Sequence, residues 1–186
     1  MTGRDSDNRL AANRRHARVL VIGYGNPGRL DDGLGPALAR AIERRNIAGV
    51  TVDANYQLTV EDAAAVAEHD VVVFADADAV GRAPFQFARV EPKPELSFSS
   101  HSIEPGALVA LADGLSGRRT EAWLLGIRGY DFDELAEGLS PGARRNLDEA
   151  LEFLAGFLRD RSSRAPAAGP LPSPAASPTR PDEGGT

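Results

Sequence analysis

The sequence predicts an α/β protein: a three-layer α/β/α sandwich built on a mostly parallel, twisted, five-stranded sheet. Three observations carry this expectation. Short apolar runs alternate with stretches of helical period in the order β-α-β-α-β-β-α-β-α, which implies parallel strands with helices on both faces. The runs at 17–23 and 70–77 are nearly unbroken, as suits strands buried on both sides. A chain of 186 residues, 42% hydrophobic and 26% charged, supplies one sizeable core and hardly two.

The elements follow in order. "ARVLVIG" (17–23) is a central parallel strand. Pro36 opens a helix in "PALARAIERR", with Ala37, Leu38, Ala41 and Ile42 on one stripe. "GVTVDA" (49–54) is the second strand, and Thr59 begins a helix with Asp62 three residues on, a variant of the capping box. "DVVVFADA" (70–77) carries the strongest β-branched signal, and "FQFARVE" (85–91) alternates as a more exposed strand does. A helix with Pro105 near its start and the strand "EAWLLGIRG" (121–129) come next. Ser140 and Pro141 launch a final helix to about Asp160, with Leu147, Ala150, Leu151, Leu154 and Leu158 on its apolar face. Residues 1–16 read as a flexible arm, 17–160 as one domain, and 161–186, rich in Pro, Ala, Ser and Gly, as a disordered tail.

Composition narrows the function. There is no cysteine, which excludes disulfides, zinc ribbons and a thiol nucleophile and points to the cytoplasm. The first residues lack the apolar core of a secretory signal, and no run approaches a membrane span. A formal charge of −6 argues against nucleic acid as a partner and agrees with a basic protein partner or a metal.

In a sheet of this kind ligands gather at the carboxyl ends of the strands, and here those ends are acidic. The first strand runs into "GYGNPGRLDDGLG" with Asp31 and Asp32, the second ends at Asp53, the third at Asp76 and Asp78, and a later polar loop carries His101. Ionised carboxylates with one imidazole make a mixed donor set for a divalent transition metal. Taken singly, Asp32 reads as a helix N-cap and Asp76 as a turn residue; His16 belongs to the basic arm and His69 suits the end of a helix. Their joint placement at one sheet edge favours a site. The alternative is a dinucleotide site: Gly23, Gly25 and Gly28 spell GxGxxG, with Asp53 ending the second strand. Against it, Pro27 and Arg29 interrupt the turn, the helix starts only near Pro36, and Asp31 and Asp32 repel a pyrophosphate. No Walker-type lysine and no GxSxG elbow is present.

"VLVIGYGNPGRLDDGLG", "VVVFADADAV", "SSHSIEPGALVALA" and "GIRGYDFDELAEGLSPGARRNLDEALEFL" together resemble the hydrogenase maturation endopeptidases, over roughly 17–159. That resemblance implies a protease that removes the C-terminal extension of the nickel–iron hydrogenase large-subunit precursor once nickel is inserted. It also implies that Asp32, Asp76 and His101 bind nickel, supplied mainly by the substrate and replaceable by other divalent metals. Asp31 stands beside Asp32, and Asp78 points the same way as Asp76 along the strand. Two routes to peptide hydrolysis stay open: the metal polarises the scissile carbonyl or activates a water, or Asp32 or Asp53 is the general base and the metal serves recognition alone. The partner implied is the nickel-loaded precursor, with no nucleic acid and no membrane insertion; the oligomeric state is left open, a monomer being compatible. Three rivals stand beside this: a nucleotide- or NAD-binding Rossmann-like oxidoreductase, a non-enzymatic nickel-dependent assembly chaperone, and a peptidyl-tRNA hydrolase, whose His and Asn after the glycine loop and basic surface are not visible here.

Overall fold

The computed structural model describes residues 16–93 and 103–165. His101, the arm up to residue 15 and the tail from 166 lie outside the described residues. Five strands form one sheet: β1 Val19–Tyr24, β2 Val50–Asn55, β3 Val71–Asp78, β4 Phe85–Arg89 and β5 Glu121–Arg128. Their order is β2-β1-β3-β5-β4. β1, β2, β3 and β5 are parallel, and only the edge strand β4 runs antiparallel, against β5. The helices are α1 Leu34–Arg44, α2 Asp62–Glu68, α3 Pro105–Ser116 and α4 Pro141–Ser163. The expected sandwich with a mostly parallel five-stranded sheet is what the chain forms.

The alternation of side chains along each strand divides the core in two. Val19 and Val21 of β1 and Val73 and Ala75 of β3 face Leu34, Leu38 and Ile42 of α1 and Ala150, Leu154 and Leu158 of α4. Leu20, Ile22, Val72 and Phe74 face Ala63 and Val66 of α2 and Leu108 and Ala112 of α3. The chain leaves β1 to build β2 on one side and then returns to build β3 on the other. The switch point of the sheet therefore lies between β1 and β3, where sheets of this kind open a crevice for ligands.

Three boundaries differ from the sequence reading. α1 starts at Leu34, ahead of Pro36, because a short 3-10 turn, Leu30–Gly33, leads directly into it. The glycine loop is thus shorter than its sequence suggests. α2 starts at Asp62 and not at Thr59. The Asp62 carboxylate does reach back to Thr59 N at 2.8 Å, but the Thr59 hydroxyl donates to that same carboxylate at 3.3 Å and leaves the helix N–H groups uncapped. α4 continues to Ser163, past the boundary expected at 160; its start is as expected, with Ser140 Oγ accepting from Ala143 N at 3.2 Å ahead of Pro141.

Two motif glycines are explained by packing. A Cβ on Gly23 would overlap the Gly35 carbonyl, and one on Gly35 would overlap the carbonyls of Tyr24 and Ala75. The first turn of α1 lies directly on the backbones of β1 and β3, with no room for a side chain between them. Substituting Gly35 by alanine forces backbone apart, and we expect a loss of about 2–4 kcal/mol, read as a lower urea midpoint; an unchanged midpoint would show that the close approach is not needed.

Candidate active site

The loop after β1 spends its own polar groups. Gly25 N donates to Asn55 O at 3.2 Å, Arg29 N to Asn26 O at 3.0 Å, Leu30 N to Ala136 O at 2.9 Å, Asp31 N to Asp131 O at 3.0 Å and Asp32 N to Arg29 O at 3.1 Å. Asn26 N donates to Asp32 Oδ2 at 3.0 Å and Gly28 N to Asn26 Oδ1 at 2.9 Å; Pro27 has no N–H. A phosphate cradle needs those groups aimed outward. From Gly25 to Asp32 every one of them is bound within the protein. Gly25 has φ +134°, and a Cβ there would overlap the Asp32 carbonyl. The GxGxxG pattern here folds a tight acidic loop.

The two adjacent acids of that loop have opposite surroundings. Asp31 is fully buried (0% exposed). Its carboxylate accepts from Tyr130 N at 2.8 Å, Asp131 N at 3.0 Å, Ser140 N at 2.7 Å and Ser140 Oγ at 2.7 Å. Burial alone would raise the carboxyl; the hydrogen bonds from Tyr130, Ser140 and Asp131 outweigh it and hold the group below the usual carboxylate range. Both of its oxygens accept from groups within the fold. Asp32 is half-buried, its carboxylate accepting from Asn26 N. It does not cap α1, whose first turn has no side-chain cap.

Asp76 stands near the end of β3, on the same sheet face as Tyr24 of β1, one step beyond the last β1–β3 pair, Gly23 with Ala75. Burial pushes its carboxyl up to about 6, and the charges of Asp32 and Asp78 push it the same way. The hydrogen bonds from Ala77 N, at 2.8 Å, and from the Tyr24 hydroxyl oppose the rise. Burial and the Asp76 charge in turn raise the Tyr24 phenol well above its ordinary range. The fold therefore brings Asp32 and Asp76 together at the switch point. Asp78 is tied into the turn after β3, its Oδ1 accepting from Val80 N at 2.9 Å and Gly81 N at 2.7 Å.

The remaining candidates lie elsewhere. Asp53 is exposed on the edge strand β2, in register with Ile22 and, through it, Phe74. At about 4.8 Å per strand it is two strands away from β3 and one residue pair short of the row of Tyr24. His69 is structural, its ring nitrogens engaging Ala65 O at 2.7 Å and Thr51 Oγ1 at 3.1 Å. His16 is exposed. His101 falls outside the described residues, although Ile103 is buried in the core layer beneath Tyr24. Among the described residues no three His, Asp or Glu side chains converge as a metal site. Sequence reasoning missed Tyr24; the signal available was its parity with the buried Leu20 and Ile22.

Two unlike demands meet at Asp76. Its folded-state value lies above that of an unfolded aspartate, so the folded chain holds the proton more tightly between about pH 4 and 6, and ionisation above that range costs stability. In metal-free protein, Asp76→Asn should stabilise the fold by on the order of 2–3 kcal/mol at neutral pH, and the gain should vanish below about pH 4. Melting curves across pH check this; equal curves at pH 7 would show that ionised Asp76 is not destabilised by its burial.

No protein-family model matches the sequence, and no curated protein does. Solved structures do share the fold. The hydrogenase maturating endopeptidase HybD from E. coli is 23% identical, with a TM-score of 0.62 over 83% of this chain and 98% of that one. The [NiFe] hydrogenase maturation protease HycI from Thermococcus kodakarensis is also 23% identical, with a TM-score of 0.61 over 77% and 94%. A hydrogenase 3 maturation protease is 17% identical, with a TM-score of 0.55 over 77% and 90%. At these identities the likeness is one of fold.

Proposed function

We propose that this chain is a hydrogenase maturation endopeptidase, which removes the C-terminal extension of the nickel–iron hydrogenase large-subunit precursor after nickel insertion. One observation carries the reading. In a fold shared with solved maturation proteases, Asp32 and Asp76 stand near enough at the switch point for the Asp32 charge to add to the burial that pushes Asp76 up to about 6. A cation offsets that charge; an anion adds to it. The inward-turned N–H groups of the glycine loop favour this reading over a nucleotide-binding oxidoreductase.

On this reading the nickel arrives with the precursor and is met by Asp32, Asp76 and His101. Oxygen donors grip it less firmly than the thiolates of a metal-loaded substrate, which suits inspection followed by release. Nickel bound there supplies positive charge against which a scissile carbonyl can be polarised. Asp32 also takes the proton of the attacking water as general base. Of the two acids considered for that role, it is the one in the pair; Asp53 lies on the strand beside it. Tyr24 holds one side of the Asp76 carboxylate.

Asp32→Ala, Asp76→Ala and His101→Ala should each abolish shortening of nickel-loaded precursor while leaving the thermal unfolding transition cooperative, with mobility on a denaturing gel as the readout. Full processing by all three variants would remove the assignment. Asp32→Asn separates its two roles: lost precursor binding marks recognition, whereas retained binding with lost turnover marks the base. An assembly chaperone, the remaining alternative, would bind the precursor and leave its length unchanged in the wild type as well.

A further inference from the structure

Asp31 is the most heavily hydrogen-bonded side chain near the crevice, and the proposed reaction does not use it. Its partners all lie in the connection from β5 to α4, residues 129–140. That connection is long for a β–α loop, whose usual length is about 2–6 residues, and has no helix or strand of its own beyond a bridge between Ala136 and Arg29. What shapes it is the glycine loop. Leu30 N and Asp31 N donate to Ala136 O and Asp131 O, and the Arg29 guanidinium donates to Phe132 O at 3.1 Å. A Cβ on Gly129 would overlap the Phe132 ring and press on the Asp31 Cβ. Ser140 closes the arrangement: its hydroxyl donates to Asp31 and accepts from Ala143 N, so the cap of α4 and the clasp share one oxygen.

We propose that Asp31 is a positioning residue for the reaction assigned to Asp32 and Asp76. By fixing the 129–140 loop to the 3-10 turn, it sets where the adjacent Asp32 carboxylate stands relative to Asp76. The proposal rests on the reading of Asp32 given above, and goes beyond it by giving the neighbouring acid a distinct part. The geometry supports action through Asp32. The 3-10 turn is one turn long, so loosening Asp31 loosens the peptide that carries Asp32, whose side chain is held by the bond from Asn26 N and whose own N donates to Arg29 O. Supports of this kind, one residue removed from a ligand, alter affinity or activity by about 10- to 100-fold when lost.

Asp31→Asn keeps the shape of the side chain and replaces an acceptor by a donor facing N–H groups. Asp113→Asn is the control: Asp113 is a buried carboxylate at the opposite end of the sheet, accepting from Thr120 N at 2.8 Å. Both are compared with wild type at a temperature where all three are folded by circular dichroism. The readouts are hydrogen exchange at Tyr130, Asp131 and Ser140, affinity for nickel(II) alone by calorimetry, and turnover of nickel-loaded precursor. We expect Asp31→Asn to speed exchange at those amides and to weaken nickel binding and turnover by about 10- to 100-fold, with Asp113→Asn leaving both unchanged. Fast exchange with undiminished nickel affinity and turnover would overturn the proposal, as would an equal loss in Asp113→Asn. If Asp31→Asn does not fold, Ser140→Ala, which removes one donor of the clasp, decides by the same comparison. A wild type that binds nickel and leaves the precursor intact removes the proposed function while the nickel comparison still decides the positioning role. Where the wild type binds no free nickel but shortens the precursor, the turnover comparison decides; a wild type that does neither overturns both.

Discussion

A carboxylate withdrawn from water must be neutralised or surrounded by donors, and Asp31 is surrounded. Three backbone N–H groups and one hydroxyl, all from the connection between β5 and α4, replace its hydration. The loop after β1, the loop after β5 and the first turn of α4 meet on this one group. The crevice wall beside Asp32 is therefore held by charge-assisted hydrogen bonds within the protein, and the protein keeps Asp31 ionised to do so.

The second constraint is steric. α1 reaches the sheet so closely that Gly23 and Gly35 touch the opposing backbone. That contact places the 3-10 turn directly over the carboxyl end of β1, and it is why the acidic residues of the turn reach β3. A glycine pattern that serves nucleotide sites by leaving N–H groups open serves here by removing side chains from a helix–sheet contact. The same residue type meets two different physical needs, and the hydrogen-bond partners of the loop separate them.

Asp31 and Asp32 show how adjacent residues of one kind diverge. One is fully buried and surrounded by donors; the other is half-buried, and its charge is felt at Asp76. Burial and the nearby charges of Asp32 and Asp78 both make ionisation of Asp76 unfavourable. Functional sites are where such local conflict is tolerated, because the rest of the core compensates for it.

The sequence by itself determined the sheet, its helices and the acidic edge, because burial on both faces imposes unbroken apolar runs and helix packing imposes a 3.6-residue stripe, and both patterns are local. Ser140 and Pro141 likewise announce α4 by chemistry confined to one turn. Tertiary structure alone decided which acid does what. Asp31 and Asp32 are indistinguishable in sequence, and the donors that separate them come from residues 130–140, about a hundred positions away. Tyr24 meets Asp76 only because β1 and β3 are neighbours in the sheet, and Asp53 stands apart because β2 lies on the far side of β1. Local period writes the elements; the environment of a charge is set by segments that the fold, and not the chain, makes adjacent.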